Sequence, residues 1–327
     1  MKRFGCVILM VICALAVANL GASGAEPPAS AFHLRAEAAG FWKLIDRNSK
    51  LVQVAGDFGF TEGPVWDDSG FLYVSDEEKN KIYRVFVGGK RDGQREELVS
   101  LGDPDGSTYD HAHRLIDCAS VLRAIIALTP DGKYTVLADR FEGKKFNSPN
   151  DVIVGPDGAL YFTDPTLDLV QGEKQEIPFQ GVYRLGVEGK DQGNVRLLTQ
   201  ELTQPNGLAF SPDGKRFYVD DSEQRNIRVY DFGADGILAN GRIFSQEPGG
   251  EHDGVPDGVK VDRQGNLFVT GPKGIWIWDP QGRHLGTIEM PEQPANLAWG
   301  DKDRGTLYIT ATHSVYRLRT KTVGFVP

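Results

Sequence analysis

Six oxygen-bearing side chains recur along this chain at what reads as one place in a repeated pattern. They are Glu62 in TEGPVW, Asp105 in PDGSTYD, Asn150 in SPNDVIV, Asn206 in QPNGLAF, Asp257 in VPDGVKV and Asn296 in PANLAWG. Each opens a short apolar run. Any one of them alone would pass for a turn cap. Aligned in every repeat, they predict a ring of hard oxygen donors if the fold sets the repeats about one axis, and such a ring describes a calcium site. Glu62 and Asp257 bring negative charge, whereas Asn150, Asn206 and Asn296 bring neutral carbonyls. Gathering carboxylates without a cation is costly, because like charges raise one another's pKa and burial penalises charge. No Cys or His occupies these positions, which favours Ca²⁺ or Mg²⁺ over Zn²⁺.

The elements that must position these side chains are short strands. A second apolar run follows each marked residue: FLYVSD, RLIDCAS, ALYFTD, RFYVDD, NLFVTG and TLYITA. A third reads KIYRVF, LRAIIAL, GVYRLG, NIRVYDF, GIWIWDP and SVYRLR, and a fourth EELVS, YTVLAD, VRLLTQ, GRIFS and LGTIE. Turn signals such as DDSG, TPDG, GPDG and SPDG separate them. A four-stranded antiparallel meander repeating at roughly 40–55 residues defines a β-propeller. With six copies the fold class is all-β, a six-bladed propeller. The fourth strand of the last copy is missing, and the run KLVQVAG at Lys50 to Gly56 is expected to supply it and close the ring, leaving no frayed blade. In a propeller the first strand of each blade lines the central channel, so the marked residues would meet at one mouth. The glycines that follow several of them allow adjacent backbones to approach closely. The only helical turn expected is at Ala36 to Gly40.

A formal net charge of -9 argues against a phosphate-tracking surface, and so against nucleic acid as a partner. Lys2 and Arg3, an apolar run from Val7 to Leu20, and small residues Ser23 and Ala25 before Glu26 form the pattern of an export signal. The run is shorter than the roughly 20 residues a spanning helix needs. The expected organisation is a signal peptide over 1–25, a polar tether over 26–35 and a propeller domain over 36–327, exported to a periplasm or secreted, with no stable membrane insertion after cleavage. Cys6 and Cys13 would leave with the signal, so Cys118 stands alone and reads as a packed thiol.

At these residues the chain resembles the gluconolactonase and regucalcin (senescence marker protein) family of six-bladed propellers. The resemblance runs from FWKLID to the end and is carried by GFTEGPVW, FEGKKFNSPNDVIVGPDGALYFTDP, QPNGLAFSPDGKRFYVDD and VPDGVKVDRQGNLFVTGPKGIWIWDPQGRHLG. It implies a divalent cation at the channel mouth, Ca²⁺ first and Mg²⁺, Mn²⁺ or Zn²⁺ as substitutes. Glu62, Asn206 and Asp257 look like metal ligands, Asn150 like a further ligand or a substrate-facing residue, and Asp257 like the catalytic acid/base. Two positions depart from the pattern: Asp105-Gly106 stands where similar proteins often have Asn-Gly, and Ser148 stands where some have an arginine for a sugar acid.

The reaction this implies is hydrolysis of a sugar lactone, with the metal polarising the carbonyl and Asp257 moving the proton, or attacking the carbonyl itself. Asp105, Asn150, His111 in YDHAHRL and His252 in GEHDGVPDG are the candidates for contact with substrate. The alternatives are hydrolysis of a phosphotriester or aryl ester at the same site, and a non-enzymatic calcium- or sugar-binding propeller. A serine-hydrolase elbow, a phosphate loop and a CxxC pair are all missing from the sequence. Trp276 and Trp278 alternate as strand residues do and are expected to include core packing.

Overall fold

The computed structural model describes residues 32–233 and 236–326. The export signal expected over 1–25 lies outside the described residues. Six sheets of antiparallel strands form the six blades of a propeller, each built from sequential runs of Val, Ile, Leu, Phe and Tyr. The inner strands are Thr61–Asp67, Pro104–Tyr109, Val152–Val154, Pro205–Phe210, Val259–Val261 and Pro294–Gly300. We number the blades 1 to 6 in that order.

Blade 6 is completed from the other end of the chain. Leu51–Ala55 pairs antiparallel with Ser314–Arg319, with Leu51 opposite Leu318 and Gln53 opposite Tyr316. The expected ring closure is therefore present, and both termini share one sheet.

Blade 5 carries a strand that was not expected. His33–Ala36 adds to the outer edge of His284–Glu289, with His33 opposite Glu289 and Ala36 opposite Gly286. Residues 33–35 of the tether expected over 26–35 therefore lie in this strand. Leu34 and Ala36 pack against the cluster between blades 5 and 6, while His33 and Arg35 point outward. Four residues are too few for this alternation to stand out in the sequence. The helical turn also lies later than expected, at Phe41–Leu44 rather than Ala36–Gly40. It forms where Phe41 and Leu44 can be buried beside Ile275, Ile288 and Leu297, because a single turn owes its stability to packing rather than to alanine content.

The apolar faces of neighbouring blades meet in successive clusters around the ring. Trp276 and Trp278 stack on each other and on His284 inside blade 5, and their indole N–H groups donate to Pro272 O and Glu247 Oε1. Both are core residues. Cys118 is fully buried, as expected of a packed thiol.

A chain starting at Gly56 would leave Ser314–Arg319 as a raw edge, whereas one starting at Phe32 would keep both added strands. Circular dichroism melting should show a cooperative transition retained in the second truncation and lost, or shifted sharply downward, in the first.

Candidate metal centre at the channel mouth

The inner strands meet so closely that in four blades the residue after the marked one must be glycine. A Cβ on Gly207 would lie 1.8 Å from the Asp257 carbonyl oxygen, and one on Gly63 2.1 Å from that of Asp105. A Cβ on Gly106 would meet Asn150 O at 2.6 Å, and one on Gly258 would meet Asn296 Oδ1 at 2.3 Å. Each glycine thus presses the backbone of one blade onto the next. Hydroxyls from the second strands and the turns after them fasten the same seam. Ser75 Oγ donates to Asp105 O at 2.8 Å, Ser120 Oγ to Pro149 O at 2.7 Å, Ser222 Oγ to Pro256 O at 2.7 Å and Thr270 Oγ1 to Ala295 O at 2.6 Å.

This seam brings Glu62, Asp105, Asn150, Asn206 and Asp257 to one mouth of the channel. Asn150 Nδ2 donates to Asp105 Oδ2 at 2.7 Å, and an Asn206 side-chain hydrogen bond reaches Asp257. Glu62 Oε2 accepts from Gly63 N at 2.7 Å and from Asn296 Nδ2 at 2.9 Å. Asn206 Oδ1 is buried without a hydrogen-bond partner.

Asn296 does not occupy the sixth ring position. Its N–H donates to Thr310 Oγ1 at 3.1 Å and its Oδ1 accepts from Leu297 N at 2.8 Å. Asp151 makes the same pair of bonds to Thr163 and Val152, at 3.1 and 2.8 Å. Gly258 N likewise bonds Thr270 Oγ1. Asn296 is therefore in register with Asp151 and Gly258, one residue beyond the ring, and the ring position in blade 6 is Ala295. The repeat PANLAWG slips by one against QPNGLAF, and matching polar letters hides the slip.

His111 is not brought to the ring. The inner strand of blade 2 carries the chain away from the mouth by roughly 3.3 Å per residue. His111 and His113 end at the opposite mouth, lining a channel cavity of about 350 Å³ with Trp66, Trp299 and Phe325. His113 stacks on Tyr109, at 4.0 Å between centroids. His252 lies on the loop leading to Asp257, on the ring side, but it is exposed. Ser148 is buried and anchors the loop after blade 3's second strand: it donates to Pro165 O at 2.9 Å and accepts from Asp168 N at 3.1 Å.

Among the charged residues at this mouth that the sequence reading missed are Asp151, Lys260 and Asp168. Asp151 follows Asn150 where four other blades have glycine, and its Oδ2 is buried without a hydrogen-bond partner. Lys260 shares its register along the channel wall with Val65, Thr108, Ile153, Ala209 and Ala298, and is the one charge among them. Asp168 adds negative potential felt by Asp105 and Asp257. Asp151 was visible as a charge where four other blades have glycine, and Lys260 as a charge where the other repeats carry Val, Thr, Ile or Ala.

The electrostatics are those of crowded acids. Burial lifts the Glu62 carboxyl to about 7, with Asp151 adding to the rise while the hydrogen bonds from Gly63 and Asn296 and the charge of Lys260 oppose it. Burial, followed by the charges of Glu62, Asp151 and Asp168, drives Asp257 well above the usual carboxylate range. Burial and neighbouring acids do the same to Asp105. Among the described residues no cluster of three or more His, Cys, Asp or Glu side chains forms a metal site by itself, so a cation held here would need further oxygen donors, which the asparagine carbonyls can supply. The orphaned Asn206 Oδ1 beside Asp257 fits that requirement, and an all-oxygen donor set suits a hard cation.

A six-bladed propeller with this mouth defines the class, and comparison with known proteins gives the family. Residues 60–313 match the family described as SMP-30/Gluconolactonase/LRE-like region, and the chain belongs to that family. It is 34% identical over 304 residues to a gluconolactonase of Zymomonas mobilis, covering 86% of this chain and 84% of that one. It is 28% identical to a pentonolactonase of Haloferax volcanii, covering 76% and 80%. Among solved structures, a gluconolactonase from Xanthomonas campestris superposes with a TM-score of 0.80 at 30% identity, covering 90% of this chain and 96% of that one.

Glu62 sets a pH dependence for the protein stripped with EDTA. Its folded carboxyl, at about 7 against an ordinary 4.5, binds protons that the unfolded chain has released. Its contribution to stability is therefore complete below pH 4.5 and is lost as the pH rises through about 7. Differential scanning calorimetry of the stripped protein should show Tm falling from pH 5 to pH 8, with a shallower slope in Glu62→Gln.

Proposed function

We propose that this chain is a lactonase that opens a sugar lactone, holding a divalent cation, Ca²⁺ foremost, with Glu62, Asn150, Asn206 and Asp257. One observation carries the reading: two carboxylates and two amide side chains converge on one mouth, one of them with its carbonyl buried and unpaired. The gluconolactonase and pentonolactonase relatives, matched over most of their lengths, supply the substrate class.

When bound, the cation would polarise the lactone carbonyl as a Lewis acid. Asp257 takes a proton from the attacking water as the new C–O bond forms. It returns that proton to the ring oxygen as the acyl–oxygen bond breaks, giving the open hydroxy acid. Asn206 holds Asp257 by a side-chain hydrogen bond. Gly63 N–H and Asn296 hold one oxygen of Glu62, which fixes the carboxylate's direction. Asp105, tied to Asn150, and the loop carrying His252 border the space where the sugar would sit. The residue pattern over 1–25, read as an export signal, would put this reaction in a periplasm or outside the cell.

Substitution of Asp257 by Asn should lower kcat on glucono-δ-lactone by at least about 100-fold; turnover that survives with the cation still bound would remove Asp257 from the chemistry. In the wild type, EDTA should abolish activity and Ca²⁺ restore it. Paraoxon-like and aryl esters assayed in parallel separate lactone hydrolysis from the ester alternatives, and metal binding without any turnover would mark a binding propeller.

A further inference from the structure

The channel contains a charged group that the proposed reaction does not use. Lys260 rises from the inner strand of blade 5 into the space beneath the ring. Its Nζ donates to Asn296 Oδ1 at 3.1 Å and lies 4.0 Å from Asp151 Oδ2. These contacts reach blade 6 on one side and blade 3 across the channel, and the lysine stem covers apolar wall on the way. Asp151 Oδ2 accepts no hydrogen bond, so among the described residues Lys260 is the cation that faces it. From Asn296 the chain of bonds continues through Nδ2 to Glu62 Oε2 at 2.9 Å. The glycines of blades 1, 2, 4 and 5 leave this layer of the channel to Asp151 and Asn296 alone.

We propose that Lys260 is a built-in cation of the channel, a positioning residue whose ammonium offsets Asp151 and the ring acids when no metal is present. A buried acid that loses its counter-charge is strongly destabilising. The same positive charge repels a divalent cation entering the ring, a repulsion weakly screened at this depth. Lys260 therefore trades cation affinity for stability of the unloaded propeller. Methionine, of similar length and without charge, would reverse both effects. Asn296 Oδ1 would still be held by Leu297 N–H, so Glu62 would keep its hydrogen bond. The second part of this inference rests on the metal reading above; the first does not.

The experiment compares thermal unfolding of the wild type, Lys260→Met and Lys260→Met/Asp151→Asn, each in EDTA and in saturating Ca²⁺, with calorimetric titration of Ca²⁺. In EDTA, Lys260→Met should melt roughly 5–10 °C below the wild type, and the double variant should recover much of that loss. In Ca²⁺ the deficit of Lys260→Met should shrink, and its Kd for Ca²⁺ should be several-fold lower than that of the wild type. A double variant no more stable than the single one would overturn the charge-balancing role. Equal losses in EDTA and Ca²⁺ with unchanged Kd would reduce Lys260 to ordinary packing. A wild type that Ca²⁺ neither binds nor stabilises would defeat the metal reading, and the EDTA comparison would then decide the role of Lys260 by itself.

Discussion

The structure turns on the close contact of neighbouring inner strands at the propeller axis. Where Gly207 meets the carbonyl of Asp257 there is no room for a methyl group, and the hydroxyls of Ser75, Ser120, Ser222 and Thr270 bind the same seam. That contact fixes where each blade begins. It thereby forces acids and amides from five different blades into one small volume, where they shift one another's protonation. Closure of blade 6 by Leu51–Ala55 maintains the contact around the full circle.

The energetic consequence is a set of acids that fit poorly with one another and well with positive charge. Glu62, Asp105, Asp151 and Asp257 all have carboxyls pushed upward, and burial is the largest cause in each. Such an arrangement lowers the stability of the empty protein above neutral pH, and two sources of relief are available to it. One is the divalent cation proposed for the mouth. The other is Lys260, which the chain carries permanently beneath it. Together the two would keep a highly acidic mouth in a folded protein whether or not a cation is bound.

The architecture was legible because its signals repeat. Strand runs, turn tetrads and the missing outer strand recur often enough to define six blades and their closure. Five of the six marked residues were found because oxygen donors stood at the same offset in successive repeats. Asn296 misled because the offset was judged by letter, and only its bonds to Thr310 and Leu297 reveal its true register. His111 misled for a different reason: nearness in sequence to Asp105 was taken for nearness in space, although an extended strand separates them. Asp151 and Lys260 each departed locally from the other repeats, but their contact between blades 3 and 5 is one that no local pattern encodes. His33–Ala36 was too short for its alternation to be distinguished from a polar tether.

The central claim is that Glu62, Asn150, Asn206 and Asp257 hold one divalent cation at the mouth. Anomalous scattering from crystals grown with Ca²⁺ or Mn²⁺ tests it most directly. The account predicts a single strong peak on the propeller axis, with side-chain oxygens of all four residues at about 2.3–2.6 Å in the Ca²⁺ form. An empty mouth at saturating metal, or a peak coordinated by other residues, would contradict it.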